Sequence, residues 1–277
     1  MRGYTRTLFA LTTAPNLEAL AWLCIPDGVT KDVPRPAMIA TPGHSIGARD
    51  LLAMDASGRA RKEGAGYQKD YALQVVRLGY PCLVMEPLGF GDRREAEMKK
   101  AGGESGCHAA AVIALMMGMS VAGLRVNDLR RGLDFLETAP GVDSKRVGIM
   151  GISGGGMLAL FTAAVDLRIK AAIVSGYFNR FRDSVLGMHH CVCNFVPGLA
   201  TDFDMADLAA LVAPRPLLVQ HGTRDPIFPI AATRAALRRL RGIYRCAGAG
   251  DKLESEIFEG GHEWSPRRIE AFLKRAL

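Results

Sequence analysis

Val147-Gly148-Ile149-Met150-Gly151-Ile152-Ser153-Gly154-Gly155-Gly156-Met157-Leu158-Ala159-Leu160-Phe161-Thr162-Ala163-Ala164 is the stretch that decides how this chain folds. Its first four residues are an apolar run of the kind found in buried strands. Its last eight are mostly apolar, with alanine at three of them, the pattern of a helix pressed against a sheet. Between them lies G-x-S-x-G, with Ser153 at the corner. A strand, a sharp turn carrying a serine, and a helix make a nucleophile elbow, which lifts the hydroxyl clear of the sheet. Such a turn crowds the residues two before and two after the serine. Both must lack bulk, and both are glycines, Gly151 and Gly155.

The same pattern occurs at Gly43-His44-Ser45-Ile46-Gly47, also behind an apolar run, Ala37-Met38-Ile39-Ala40. Context separates the two. Ser45 is followed by Ala48-Arg49-Asp50 and a stretch rich in glycine and charge, with no small-residue helix. Ser153 therefore carries the nucleophile reading, and the earlier segment needs another role.

At 277 residues and 49% hydrophobic content the chain is long enough for one large domain with a substantial core. The formal charge is +7. Much of it lies in Arg234, Arg238, Arg239, Arg241 and Arg245, spaced as on the wet face of a helix. No nucleic-acid motif accompanies it, so neither nucleic acid nor a membrane is expected as a partner, and a small molecule is. The six cysteines include Cys191-Val192-Cys193, which lacks C-x-x-C spacing and a second pair. No metal or other cofactor is expected on that ground. Met1-Arg2-Gly3-Tyr4-Thr5 opens no long apolar run, so no signal peptide is seen and a cytoplasmic setting is expected. The uncharged stretch Ala109 to Leu124 is too short to span a bilayer and reads as a helix buried against a sheet.

Strands are predicted near Leu8–Thr12, Ala19–Ile25, Ala37–Thr41, Pro81–Glu86, Val147–Met150, Ala171–Ser175, Pro216–Gln220 and Glu254–Phe258. Helices are predicted near Tyr67–Leu78, Ala109–Glu137, Gly154–Val165, Ile230–Leu240 and Pro266–Ala276, the last with Ser265 as cap and Pro266 in its first turn. The two opening strands lack a helix between them and should be antiparallel. From Ala37 onward strand and helix alternate, which argues an α/β sheet, mostly parallel, with helices on both faces. Gly176 to Ala213 holds no clear strand. It follows the sixth strand, where an excursion serves as a lid, a pocket wall or a surface segment with its own small core.

A serine hydroxyl needs a base to take its proton and a carboxylate to hold that base in one tautomer. Behind a nucleophile elbow the chain order is serine, acid, histidine. His262, in Gly260-Gly261-His262-Glu263-Trp264 after the last strand, is the expected base. His44 and His108 precede the serine, His189 and His190 lie in the excursion, and His221 ends a strand just before the expected acid. That acid is Asp225, in His221-Gly222-Thr223-Arg224-Asp225-Pro226. Asp202, Asp204 and Asp207 are fallbacks, and Glu263 should point away from the site. A developing oxyanion needs two fixed N–H donors. One is the backbone of Gly154. The other comes from the loop after the third strand, at His44 or its neighbour Ser45, which gives the second G-x-S-x-G match its role.

With these residues in place, the chain resembles the acetyl xylan esterase-like and dienelactone hydrolase-type branch of the α/β-hydrolases. The likeness runs through Gly151–Gly156, through Ala213-Pro214-Arg215-Pro216-Leu217-Leu218 and His221–Pro229, and through Gly261-His262. Glu86–Arg93 and His190–Gly198 look similar too. The resemblance implies an eight-stranded α/β-hydrolase fold and a serine carboxylesterase for short acyl esters, acetylated carbohydrates among them. Two departures stand out. Many relatives carry His-Gly where this chain has Thr41-Pro42-Gly43-His44, and dienelactone hydrolases use cysteine where Ser153 stands. The competing readings are a serine peptidase of the prolyl oligopeptidase kind and a non-catalytic ligand-binding member of the same fold. The oligomeric state is not legible.

Overall fold

The computed structural model describes residues 3–100 and 106–277. Met1 and Arg2 of the N-terminal stretch lie outside them. The strands are β1 (Tyr4–Ala14), β2 (Leu17–Pro26), β3 (Arg35–Thr41), β4 (Cys82–Met85), β5 (Val142–Ile152), β6 (Ile169–Ser175), β7 (Leu217–Gly222) and β8 (Leu253–Phe258). The helices are α1 (Tyr71–Arg77), α2 (Ala96–Lys100), α3 (Cys107–Met116), α4 (Val121–Leu136), α5 (Gly154–Val165), α6 (Leu199–Asp202), α7 (Met205–Ala210), α8 (Ile230–Cys246) and α9 (Ile269–Ala276). Each predicted strand is present. They join in one eight-stranded sheet in the order β1-β2-β4-β3-β5-β6-β7-β8. β2 pairs antiparallel with both β1 and β4, and every pair from β4 to β8 is parallel.

Successive strand residues face opposite sides of the sheet, so a continuous apolar run buries both faces at once. Ile39, Leu83, Ile149 and Val219 point to one side and pack with Leu133 of α4, Leu160 of α5 and Leu240 of α8. Met38, Val84, Met150 and Leu218 point to the other and pack with Val75 of α1 and Leu273 of α9. Trp264 is 2% exposed and stacks on Tyr71 with ring centroids 4.1 Å apart.

Three helix expectations need correction. The run read as one helix from Ala109 to Glu137 is two, α3 and α4, meeting at 98°. Gly118 takes φ +71° after α3, and the Ser120 hydroxyl accepts the Gly123 N–H at 3.0 Å to cap α4. α4 carries the buried face, whereas α3 lies on the surface, with Ile113 55% and Met116 90% exposed. The uncharged stretch is therefore not a helix buried against the sheet. Among the described residues no single helix is long and apolar enough to cross a membrane. α1 begins at Tyr71 rather than Tyr67, because Lys69 and Asp70 sit at positive φ. α9 begins at Ile269 because the Ser265 hydroxyl donates to Glu256 Oε1 at 2.5 Å instead of capping a helix.

The segment 176–213 contains no strand; it is built from 3₁₀ turns at Phe181–Asp183 and Val192–Asn194 and the short helices α6 and α7. It leaves the carboxyl end of β6. The loops after β3, β5, β7 and β8 leave the same edge, because those strands are all parallel. Functional groups on these loops therefore converge at one rim, as in open α/β sheets generally.

Candidate active site

Ser153 has φ 57° and ψ −127°, a conformation that an ordinary L residue adopts only when its surroundings force it. Ser45 is not among the residues at positive φ. Its hydroxyl is engaged by the Gln68 amide at 2.7 Å and the Gly47 N–H at 3.3 Å. The elbow closes through the two glycines flanking Ser153. A Cβ on Gly151 would lie 2.1 Å from the Gly155 carbonyl oxygen, and one on Gly155 would lie 1.9 Å from that of Thr41. The Ser153 N–H donates to Ser175 O at 2.9 Å, pinning the corner to the end of β6.

Asp225 sits on the loop after β7, with its side chain fully buried. Its Oδ1 accepts the N–H groups of Ile227 and Phe228 at 3.0 and 3.1 Å. Its Oδ2 faces His262 Nδ1 at 2.6 Å. That contact places the ring proton on Nδ1 and leaves the Nε2 lone pair available. Tyr67 and Phe228 both stack with the imidazole, at 5.6 and 5.8 Å. His262 Nε2 is buried and makes no hydrogen bond among the described residues. The bond from Ser153 Oγ that the constellation calls for is thus not formed, although both side chains line one cavity. Such contacts commonly tighten only when substrate is bound.

The cavity has a volume of about 260 Å³. Gly154 and His44, the residues of the expected oxyanion donors, line it together with Ser153 and His262. The loop carrying His44 is held from below: the Gly43 N–H donates to Gln68 Oε1 at 2.8 Å, and the Tyr67 hydroxyl donates to His44 O at 3.0 Å. His189, His190, Cys191 and Asn194 of the excursion complete the wall, with Ile227 and Phe228.

The remaining candidates lie elsewhere. His108 is exposed on α3. His221 is fully buried, its Nε2 2.8 Å from Phe228 O, and burial lowers its pKa. It shapes the Asp225 loop from beneath. Asp204 caps α7, accepting from Met205 N, while Asp207 accepts from Asp204 N. Asp202 is exposed. Glu263 pairs with Lys69 at 2.7 Å, and the Lys69 cation holds its carboxyl below the ordinary range.

Sequence reasoning missed the supporting groups, Tyr67, Gln68 and Phe228. They are aromatic or polar residues of ordinary local context, and nothing in their spacing marks them. It also missed a cluster beside the site. His44, Cys107, Cys191 and Cys193 place four potential ligand atoms within 4.8 Å of one another. The expectation of no metal site rested on cysteine spacing along the chain. Here three separate segments supply the group, so spacing carried no signal.

Comparison with known proteins accords with this architecture. The Abhydrolase family model matches residues 2–256. YtaP of Bacillus subtilis (strain 168), named as a hydrolase, is 30% identical over 208 residues, covering 72% of this chain and 66% of its own length. The matched region thus spans just under two thirds of that relative. Among solved structures, BF1801 of Bacteroides fragilis NCTC 9343, described as an acetyl xylan esterase, superposes with a TM-score of 0.78 at 18% identity, over 94% of this chain and 67% of that one. A glucuronoyl esterase from Solibacter usitatus gives a TM-score of 0.68 at 16% identity, over 99% of this chain and 81% of that one. At such identities the structural likeness speaks for the fold.

Proposed function

This chain belongs to the Abhydrolase family of α/β-hydrolases, and from that premise we propose that it is a serine carboxylesterase removing short, acetyl-type acyl groups through an acyl-enzyme. One observation carries the reading. Asp225 holds His262 by Nδ1, leaving Nε2 without a hydrogen bond on the cavity that Ser153 enters from its elbow.

In this reading Ser153 Oγ attacks the ester carbonyl while His262 Nε2 takes its proton. The carbonyl oxygen gathers negative charge and is held by the N–H groups of Gly154 and His44. The tetrahedral intermediate collapses, and His262 protonates the departing alkoxide. Water then enters, loses a proton to His262 and attacks the acyl-serine, and the second collapse restores the hydroxyl. Asp225 stabilises the imidazolium formed at each stage. The cavity of about 260 Å³, walled by imidazoles and the rings of Tyr67 and Phe228, suits a small acyl group. The relative in fold described as an acetyl xylan esterase supports a carbohydrate as the alcohol half.

Purified protein should release a burst of p-nitrophenol from the acetate ester and take up an organophosphate on the peptide containing residue 153. Ser153→Ala should abolish both, with turnover falling by a factor on the order of 10⁴ or more. In a series of acetyl, butyryl and octanoyl esters, kcat/KM should be highest for acetyl. A strong preference for octanoyl would overturn the small-acyl assignment, and burst release persisting in Ser153→Ala would overturn the nucleophile.

A further inference from the structure

We propose that His44, Cys107, Cys191 and Cys193 form a tetrahedral site for one thiophilic divalent cation, zinc being the natural occupant, and that this ion ties the loop after β3 to the excursion after β6. The four ligand atoms lie within 4.8 Å of one another, and three of their separations are near those of a coordination shell. Cys193 Sγ lies 3.3 Å and Cys107 Sγ 3.6 Å from His44 Nε2, and the sulfurs of Cys191 and Cys193 are 3.4 Å apart. A zinc tetrahedron with ordinary bond lengths has edges of about 3.6 Å between nitrogen and sulfur and about 3.8 Å between sulfurs. Three cysteines and one histidine are a familiar donor set for a structural zinc, and with four protein ligands the site is closed.

A second observation is independent of these distances. Arg125 is 1% exposed. Its guanidinium donates to Leu88 O at 2.6 and 2.9 Å and to Cys107 Sγ at 3.1 Å, and no carboxylate forms a salt bridge with it among the described residues. A buried cation needs a counter-charge. Three thiolates around a divalent ion carry a net charge of −1, and Arg125 neutralises it while hydrogen-bonding a ligand sulfur, the outer-shell contact typical of such centres.

The site joins parts of the chain that are distant in sequence. His44 lies on the loop after β3, Cys107 is the first residue of α3, and in the excursion after β6 Cys191 precedes the 3₁₀ turn Val192–Asn194 while Cys193 lies within it. Coordination through Nε2 leaves the ring proton of His44 on Nδ1. That edge packs against Gly154, with Nδ1 3.2 Å from where a Cβ on the glycine would stand. The ion would thereby hold the loop that supplies the oxyanion donor. This consequence rests on the esterase reading, whereas metal binding does not.

The test uses the full chain, purified under reducing conditions, assayed for zinc, stripped with a chelator and titrated anaerobically with Co²⁺. Expected are about one zinc per chain as isolated and saturation at one Co²⁺. The cobalt form should show intense sulfur-to-cobalt charge transfer in the near ultraviolet and strong tetrahedral bands in the visible. Cys191→Ser, the least buried sulfur ligand, should weaken Co²⁺ binding at least about tenfold and reduce the charge-transfer intensity, with circular dichroism confirming its fold. Cys246→Ser, an exposed cysteine outside the cluster, should change neither. A reduced, folded wild type without the cobalt spectrum would overturn the site. So would a spectrum unaffected by Cys191→Ser, or a Cys191–Cys193 disulfide that persists under reduction. Ser153→Ala should keep the cobalt spectrum in full, so loss of the esterase reading and loss of the metal site are told apart.

Discussion

Asp225 uses its two oxygens differently, and the difference makes a prediction. Oδ1 is held by two backbone N–H groups, and Oδ2 faces the His262 ring. In Asp225→Asn the amide oxygen keeps the backbone contacts, so the loop stays folded. The amide nitrogen then faces Nδ1 and drives the ring proton to Nε2, where it blocks the base. A kcat loss of about 10⁴ is expected with little change in Tm. A loss below tenfold in a folded variant would remove Asp225 from the catalytic set. Glu86 makes a second prediction. It is 3% exposed, its Oε2 accepts the Ala48 N–H at 3.0 Å, and its Oε1 has no partner among the described residues. Burial raises its pKa to about 7, with the Asp92 charge adding to the effect. The folded state thus holds this proton more tightly than the unfolded chain does. The stabilisation is complete below the ordinary carboxylate range and is lost as pH rises through about 7. Glu86→Gln should therefore be more stable relative to wild type at pH 8 than at pH 5, by something on the order of 1–3 kcal/mol. Denaturant titrations at both pH values measure it, and the opposite sign would refute the assignment.

At the scale of elements, what was legible followed from periodicity and chain order. The apolar runs give the strands, and their order places Ser153, Asp225 and His262 at one rim. What stayed hidden depends on tertiary partners. The break between α3 and α4 turns on Gly118 at positive φ and on the Ser120 cap, both inside a run whose composition reads as one continuous helix. Ser265 looked like a cap until its hydroxyl found Glu256, a partner on β8. Tyr67 and Phe228 stack on the His262 ring from segments that no local pattern links to it. Glycine shows the same contrast between pattern and environment. Gly155→Ala would drive a Cβ to 1.9 Å from the Thr41 carbonyl, with more backbone at 2.8 Å, so β3 and α5 must separate. A loss of several kcal/mol, or failure to fold, is expected. Gly242→Ala, in α8 with nothing within 4 Å, should instead raise stability by about 0.5–1 kcal/mol through helix propensity. Urea midpoints of the two variants should move in opposite directions.

Across the described residues, most charge is kept wet or paired. The arginines of α8 are exposed, as their spacing indicated, while Leu237, Leu240 and Tyr244 on the same helix are buried. The buried arginines tie separate segments together. Arg125 does so through the cysteine cluster. Arg93 does so through Asp128, at 2.6 Å with side chains 5% and 3% exposed. That pair clamps α4 to the segment after β4, and Arg93 also donates to Glu86 O at 2.9 Å. Two charges withdrawn from water return little net stability when they meet, but removing one of them strands the other. Arg93→Met should thus cost about 3–5 kcal/mol. Replacing both residues, Arg93→Met with Asp128→Leu, should recover most of that loss, because no uncompensated charge is left inside. The two variants, compared by urea denaturation at constant m, separate a clamp that stabilises from one that only has to be complete. If the double variant were as unstable as the single one, the pair, together with the Arg93 bond to Glu86 O that both variants lose, would be a net source of stability.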